Sequence, residues 1–143
     1  MHEARTRGRK GRSILHVDDD PIDIENVRRA FVASDLERRL VPALDGEEAL
    51  ARLQGEPREH PDLILIDLSM PRMDGFELLE SLKQDPDLRR IPAVVLTASN
   101  REEDRRRAYD LGAAGYVVKP MAFDGMVEAI RAIDQYWSLC ESP

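Results

Sequence analysis

The sequence predicts a doubly wound α/β domain, a parallel sheet covered by helices on both faces. Strand-like apolar runs alternate five times with helix-like patterns. The connections between them are short, which favours right-handed βαβ units. Four of the runs also end in polar residues of a restricted kind: Asp18-Asp19, Asp67, Thr97 and Lys119-Pro120.

The first strand is expected at residues 13–18. A first helix follows from Pro21, a good first-turn residue, with Asp20 as N-cap and Ile24, Val27 and Phe31 at helical spacing. The second strand is expected at 39–44, where Pro42 suits a sheet edge. The second helix opens at Asp45 with an acid, Glu48, three residues on. The third strand, 62–67, is continuously apolar from Leu63 to Ile66, as in strands buried on both faces. The third helix opens at Asp74 and turns Leu79 and Leu82 inward. The fourth strand is expected at 93–97, and a capping box at Ser99–Glu102 is expected to open the fourth helix. The fifth strand is expected at 115–118. The last helix is expected at 123–137, with Phe123, Met126, Val127, Ile130, Ile133 and Trp137 on one stripe.

Bulk properties narrow the class. A chain of 143 residues, 34% charged and 42% apolar, fits one soluble globular domain. No apolar run approaches the ~20 residues of a membrane span, no signal-peptide core opens the chain, and a cytoplasmic location is expected. Cys140 is the single cysteine, so no internal disulfide framework exists; a free thiol or an intermolecular disulfide are its two readings. Net charge is −7, but residues 1–12 are basic. They read as a disordered leader, 13–139 as the domain and 140–143 as a tail. The acidic folded part, with no second domain to carry a DNA-reading helix, argues against nucleic acid as partner.

If the strands are parallel and adjacent, Asp18, Asp19, Asp67, Thr97 and Lys119 meet at the carboxyl edge of the sheet, where such folds bind ligands. Converging carboxylates repel, and Mg²⁺ relieves that with oxygen ligands, water and phosphate. Asp19 and Asp67 are the expected direct ligands, Asp18 acts through water, and a backbone carbonyl after Asp67, at Ser69, completes the protein's share. Lys119 offers a compact positive charge to phosphoryl oxygens and Thr97 a hydroxyl. Asp67 is the expected nucleophile, forming an acyl phosphate. His16 reads as a satisfied core residue. Tyr136 and Trp137 read either as core closure or as a dimer contact. The charged run 101–107 reads either as a solvated helix face or as a dimer salt-bridge face.

These residues bear a family resemblance. Residues 14–21 (ILHVDDDP), 63–75 (LILIDLSMPRMDG), 95–99 (VLTAS) and 112–120 (GAAGYVVKP) resemble the receiver domains of two-component response regulators. The resemblance implies a flavodoxin-like five-stranded sheet of order 2-1-3-4-5. It also implies phosphorylation of Asp67 by a histidine kinase or phosphotransfer protein, with Mg²⁺ at Asp18, Asp19 and the Ser69 carbonyl. It makes Thr97 the switch hydroxyl, Tyr116 the switch aromatic and Lys119 the phosphoryl contact, with a cis Lys119–Pro120 bond. Ser69 and Ser99 occupy the positions that tune acyl-phosphate lifetime in the family. Met121, Ala122 and Gly125 depart from its usual pattern at the start of the last helix.

Residues 83–99 and the pair Tyr136-Trp137 further resemble stand-alone receivers paired with phytochrome-type sensor kinases. That group lacks an output domain and forms homodimers through helix 4, strand 5 and helix 5. The implied protein is a switch that catalyses only its own phosphoryl transfer and dephosphorylation. Two other readings are a Mg²⁺-dependent phosphohydrolase built on the Asp18–Asp20 spacing, and a phosphate sink that drains a kinase.

Overall fold

The computed structural model describes residues 13–139. The expectations for the basic leader and for Cys140 lie outside those residues. Eleven elements follow in order: β1 (Ser13–Val17), α1 (Pro21–Ala33), β2 (Arg39–Ala43), α2 (Gly46–Gln54), β3 (Leu63–Ile66), α3 (Gly75–Gln84), a 3₁₀ turn (Leu88–Arg90), β4 (Ala93–Thr97), α4 (Glu102–Asp110), β5 (Gly115–Val118) and α5 (Phe123–Leu139). All strand pairs are parallel, and the sheet order is β2-β1-β3-β4-β5, the flavodoxin-like order.

Alternation along each strand builds two cores. Leu15, Val17, Ile64, Ile66 and Val95 face α2 and α3, where Leu53, Leu78 and Leu79 cover them. Ile14, Leu63, Leu65 and Leu96 face the opposite way, onto Val27 and Phe31 of α1 and Met126, Ile130 and Trp137 of α5. β1 and β3 are buried on both faces, which is why their sequences show no polar alternation.

Helix starts follow local chemistry. Asp20 accepts the Ile22 N–H, Asp45 accepts the Glu48 N–H, and Asp74 with Glu77 forms a complete capping box. The box expected at Ser99–Glu102 does not form. Arg101 occupies the cap position without a side-chain bond; two residues earlier, the Ser99 hydroxyl donates to the Asp104 carboxylate at 2.6 Å and its oxygen accepts the Arg101 N–H at 3.3 Å. α4 consequently has no side-chain N-cap, and Ala108 is its one buried residue. Two side chains hold it from α3 and its own surface: Arg107 lies 4.1 Å over the Phe76 ring, and Lys83 Nζ donates to the Asp110 carbonyl at 3.0 Å.

The last helix also differs from expectation. It continues to Leu139, and Phe123 is partly exposed beneath the Arg29 guanidinium rather than buried. Gly125, a poor helix former, is required here because a Cβ would lie 2.8 Å from Pro120 Cβ. Trp137 closes the core, whereas Tyr136 is exposed. A buried bidentate pair, Arg38 with Asp134 at 2.9 and 3.2 Å, ties α5 to the loop before β2.

Candidate functional site

Register brings the site residues to one level. Val17 stands opposite Ile66, and Thr97 opposite Val118, so the residues after β1, β3 and β5 emerge with the end of β4 along one edge. The ladder continues one step further through Asp67 N–H to the Val17 carbonyl and Lys119 N–H to the Thr97 carbonyl.

That pocket, about 440 Å³, is lined by Asp18, Asp19, Asp67, Ser69, Thr97 and Lys119, and also by Asp23. Oxygens of Asp18, Asp19 and Asp67 lie within 4.8 Å of one another. Asp18 is fully buried, Asp67 nearly so, and Asp19 exposed. Burial pushes the Asp18 carboxyl up to about 6 despite the Lys119 hydrogen bond, and the Asp67 charge adds to the rise. Burial likewise raises Asp67, against the opposing pull of Lys119 and a Thr97 hydroxyl hydrogen bond. Three carboxylates crowded in a half-dry pocket fit a divalent cation, whose charge removes both penalties.

Lys119 Nζ donates to Asp18 Oδ2 at 2.8 Å and to Asp23 Oδ2 at 2.9 Å, and lies 3.8 Å from Asp67 Oδ1. Burial lowers its affinity for the proton, but these hydrogen bonds and charges outweigh burial and raise it overall. Sequence reasoning gave Asp23 no part in this. An acid in the first turn of a helix is ordinarily a dipole partner, and no local pattern singles out Asp23.

The Lys119–Pro120 bond is trans, contrary to expectation; among the described residues the cis bond is Glu56–Pro57. The trans form is the intrinsically favoured one, and it already delivers the ammonium to Asp18. Tyr116 hydroxyl donates to the Ser99 carbonyl at 2.9 Å, which joins β5 to the β4–α4 loop just beyond Thr97.

Two glycines admit the neighbouring loop. Gly75 brings the start of α3 against β3: a Cβ there would meet the Asp67 carbonyl oxygen and lie 2.8 Å from Leu68 Cα. Gly46 N–H donates to the Met73 carbonyl, and Arg72, at φ 61, pairs with Asp45. The loop that carries Ser69 is thereby fixed at both sides.

His16 was expected to be satisfied, and it is not. It is buried on the α1–α5 face, its Nδ1 has no hydrogen-bond partner among the described residues, and its Nε2 lies 3.9 Å from Asp18 Oδ2. Burial, then the Lys119 charge, depress its pKa to about 4.

A carboxyl-edge cluster of this composition on a 2-1-3-4-5 sheet marks the receiver class. Residues 14–131 match the family described as response regulator receiver domain, and the chain belongs to it. Among its relatives is the response regulator Rcp1 of Synechocystis sp., 37% identical over 128 residues and covering 87% of both chains. The phosphorylated cyanobacterial phytochrome response regulator RcpA superposes with a TM-score of 0.85 at 36% identity, over 93% of this chain and 99% of that one. The Mn²⁺-bound form of Rcp1 superposes with a TM-score of 0.83 at 36% identity, over 92% and 99%. No described helix is long and apolar enough to cross a membrane.

Proposed function

We propose that this chain accepts a phosphoryl group on Asp67 from a histidine kinase or phosphotransfer protein, and passes the signal on by protein contact. The observation that carries this is the single pocket holding Asp67 with Thr97, Lys119 and two further carboxylates. In the transfer, an Asp67 carboxylate oxygen attacks phosphorus; the P–O bond forms as the P–N bond to the donor histidine breaks, and the electron pair returns to the imidazole. Lys119 and the Thr97 hydroxyl bind the transferred oxygens, so the residues supply positioning and charge neutralisation, which is most of what this chemistry needs. Asp18, Asp19, Asp67 and the Ser69 carbonyl would hold Mg²⁺, which supplies neutralisation of the phosphoryl and carboxylate charges when bound.

The likeness to RcpA, a phytochrome response regulator, favours a phytochrome-type sensor kinase as donor. A homodimer through α4, β5 and α5 is favoured by the apolar side chains exposed there: Tyr109, Val118, Tyr136 and Leu139. The phosphohydrolase reading is weakened because Asp20, the second acid of its Asp-x-Asp, is committed to capping α1. A Mg²⁺-dependent band shift on a phosphate-affinity gel after incubation with acetyl phosphate, absent in Asp67→Asn, tests the reading. A shift that survives in the variant would mean another acceptor, and turnover of an external phosphate ester would favour the hydrolase.

A further inference from the structure

We infer that His16 is a positioning residue of the phosphorylation site: its Nε2–H takes over the Oδ2 atom of Asp18 when the Lys119 ammonium turns to a phosphoryl group on Asp67. This rests on the phosphoacceptor reading of Asp67.

The two oxygens of Asp18 have distinct partners. Oδ1 accepts the Asp20 N–H at 3.0 Å, and Oδ2 accepts Lys119 Nζ at 2.8 Å. The same ammonium stands 3.8 Å from Asp67 Oδ1, so engaging a phosphoryl group there draws it off Asp18. Asp18 is 0% exposed, and a buried carboxylate oxygen stripped of its donor is costly. His16 Nε2, at 3.9 Å, is beyond hydrogen-bond length but within reach of a small side-chain rotation. The imidazole meets no competing demand, since Nδ1 makes no hydrogen bond among the described residues. A neutral imidazole with its proton on Nε2 donates to Asp18 without adding a charge that would oppose a cation in the pocket. Outer partners of this kind orient the carboxylates of metal sites generally.

The apolar surroundings of His16 point the same way. On its own face of the sheet, Ile14 and its register partner Leu65 are fully buried, and the facing helices contribute Val27 and Met126. A leucine would satisfy that environment, so an imidazole with an unmet nitrogen is not explained by packing.

The test uses the whole protein with Mg²⁺ and beryllofluoride as phosphoryl analogue. Nitrogen-15 NMR of the wild type should show the Nε2–H tautomer, with the His16 N–H proton moving downfield on addition of beryllofluoride. His16→Leu should bind beryllofluoride about tenfold more weakly, while His16→Gln, which keeps a donor, should recover to within about threefold. Affinity for Mg²⁺ alone should stay within about twofold in both variants, because Lys119 still holds Asp18 before the phosphoryl group arrives. A purely structural role would move both affinities together, and that result overturns the inference. So do unchanged His16 signals in a sample whose fluorine spectrum shows bound beryllofluoride, an outcome that leaves the Asp67 reading intact. Absence of any bound fluoride in the wild type would overturn both.

Discussion

Lys119 Nζ sits 2.8 Å from Asp18 Oδ2 but 3.8 Å from Asp67 Oδ1, so the ammonium is seated on the deepest carboxylate and not on the proposed acceptor. A fixed cation there opposes a second cation and favours an anion. Lys119→Met should therefore change two affinities in opposite directions. Mg²⁺ should bind more tightly and beryllofluoride more weakly, each on the order of tenfold, as expected for unit charges a few ångströms apart in a partly dry site. Calorimetric titration of each ligand reads both; a parallel change in the two would contradict this placement of Lys119.

The raised Asp18 carboxyl has a defined sign in stability. Its folded value, about 6, exceeds the ordinary 3.8, so the folded chain keeps a proton that the unfolded chain has released. Metal-free stability contributed by this group should then fall as pH rises through that interval and level off above it. Other carboxylates shift the opposite way, Asp45 and Glu59 among them, so the contrast is read as wild type minus Asp18→Asn in chemical denaturation. The difference should widen in favour of the variant between about pH 4 and pH 6. Mg²⁺ should narrow it at neutral pH. A difference independent of pH would be inconsistent with the burial of Asp18.

Gly75 tests how closely α3 must approach the acceptor strand. In Gly75→Ala the new methyl group meets backbone, the Asp67 carbonyl oxygen and Leu68 Cα, so no side chain can swing aside. Overpacking of this kind costs about 1–3 kcal/mol, and the displacement falls on Asp67 itself. Thermal unfolding should show the destabilisation, and acetyl-phosphate labelling should slow with it. Gly112→Ala, at φ 98 but in open space beside Lys83, should cost stability without touching labelling.

The Arg38–Asp134 pair anchors α5 from outside the site. Both side chains are about nine-tenths buried. Asp134→Ala leaves a buried guanidinium without this carboxylate and should destabilise by about 3–5 kcal/mol, with a far smaller loss when both residues are exchanged for apolar ones. Denaturant unfolding of the two single variants and the double variant measures the coupling.

Much of the architecture is readable in the chain because parallel strands buried on both faces leave uninterrupted apolar runs. The polar residue that ends each run then marks the carboxyl edge of the sheet. Asp18, Asp67, Thr97 and Lys119 were legible for that reason. Asp23 was not, because a first-turn acid reads as ordinary helix chemistry until the fold turns it toward Lys119. The unmet nitrogen of His16 depends on what the facing helices bring, which no local pattern records. The isomer at Lys119–Pro120 is set by a difference of only about 0.5–1 kcal/mol that tertiary contacts decide. The Ser99 motif had the composition of a capping box, but the helix starts two residues later, and the Ser99 oxygen accepts the Arg101 N–H short of it.

α4 reaches the rest of the molecule through Ala108, one stacked guanidinium, one lysine on its final carbonyl and the Ser99 hydroxyl on Asp104. Undocking it would release one buried side chain of its own and uncover the Phe76 ring beneath Arg107. Among the helices it is therefore the cheapest to relocate, and a partner that grips its charged outer face contends with attachments no stronger than an ordinary surface contact.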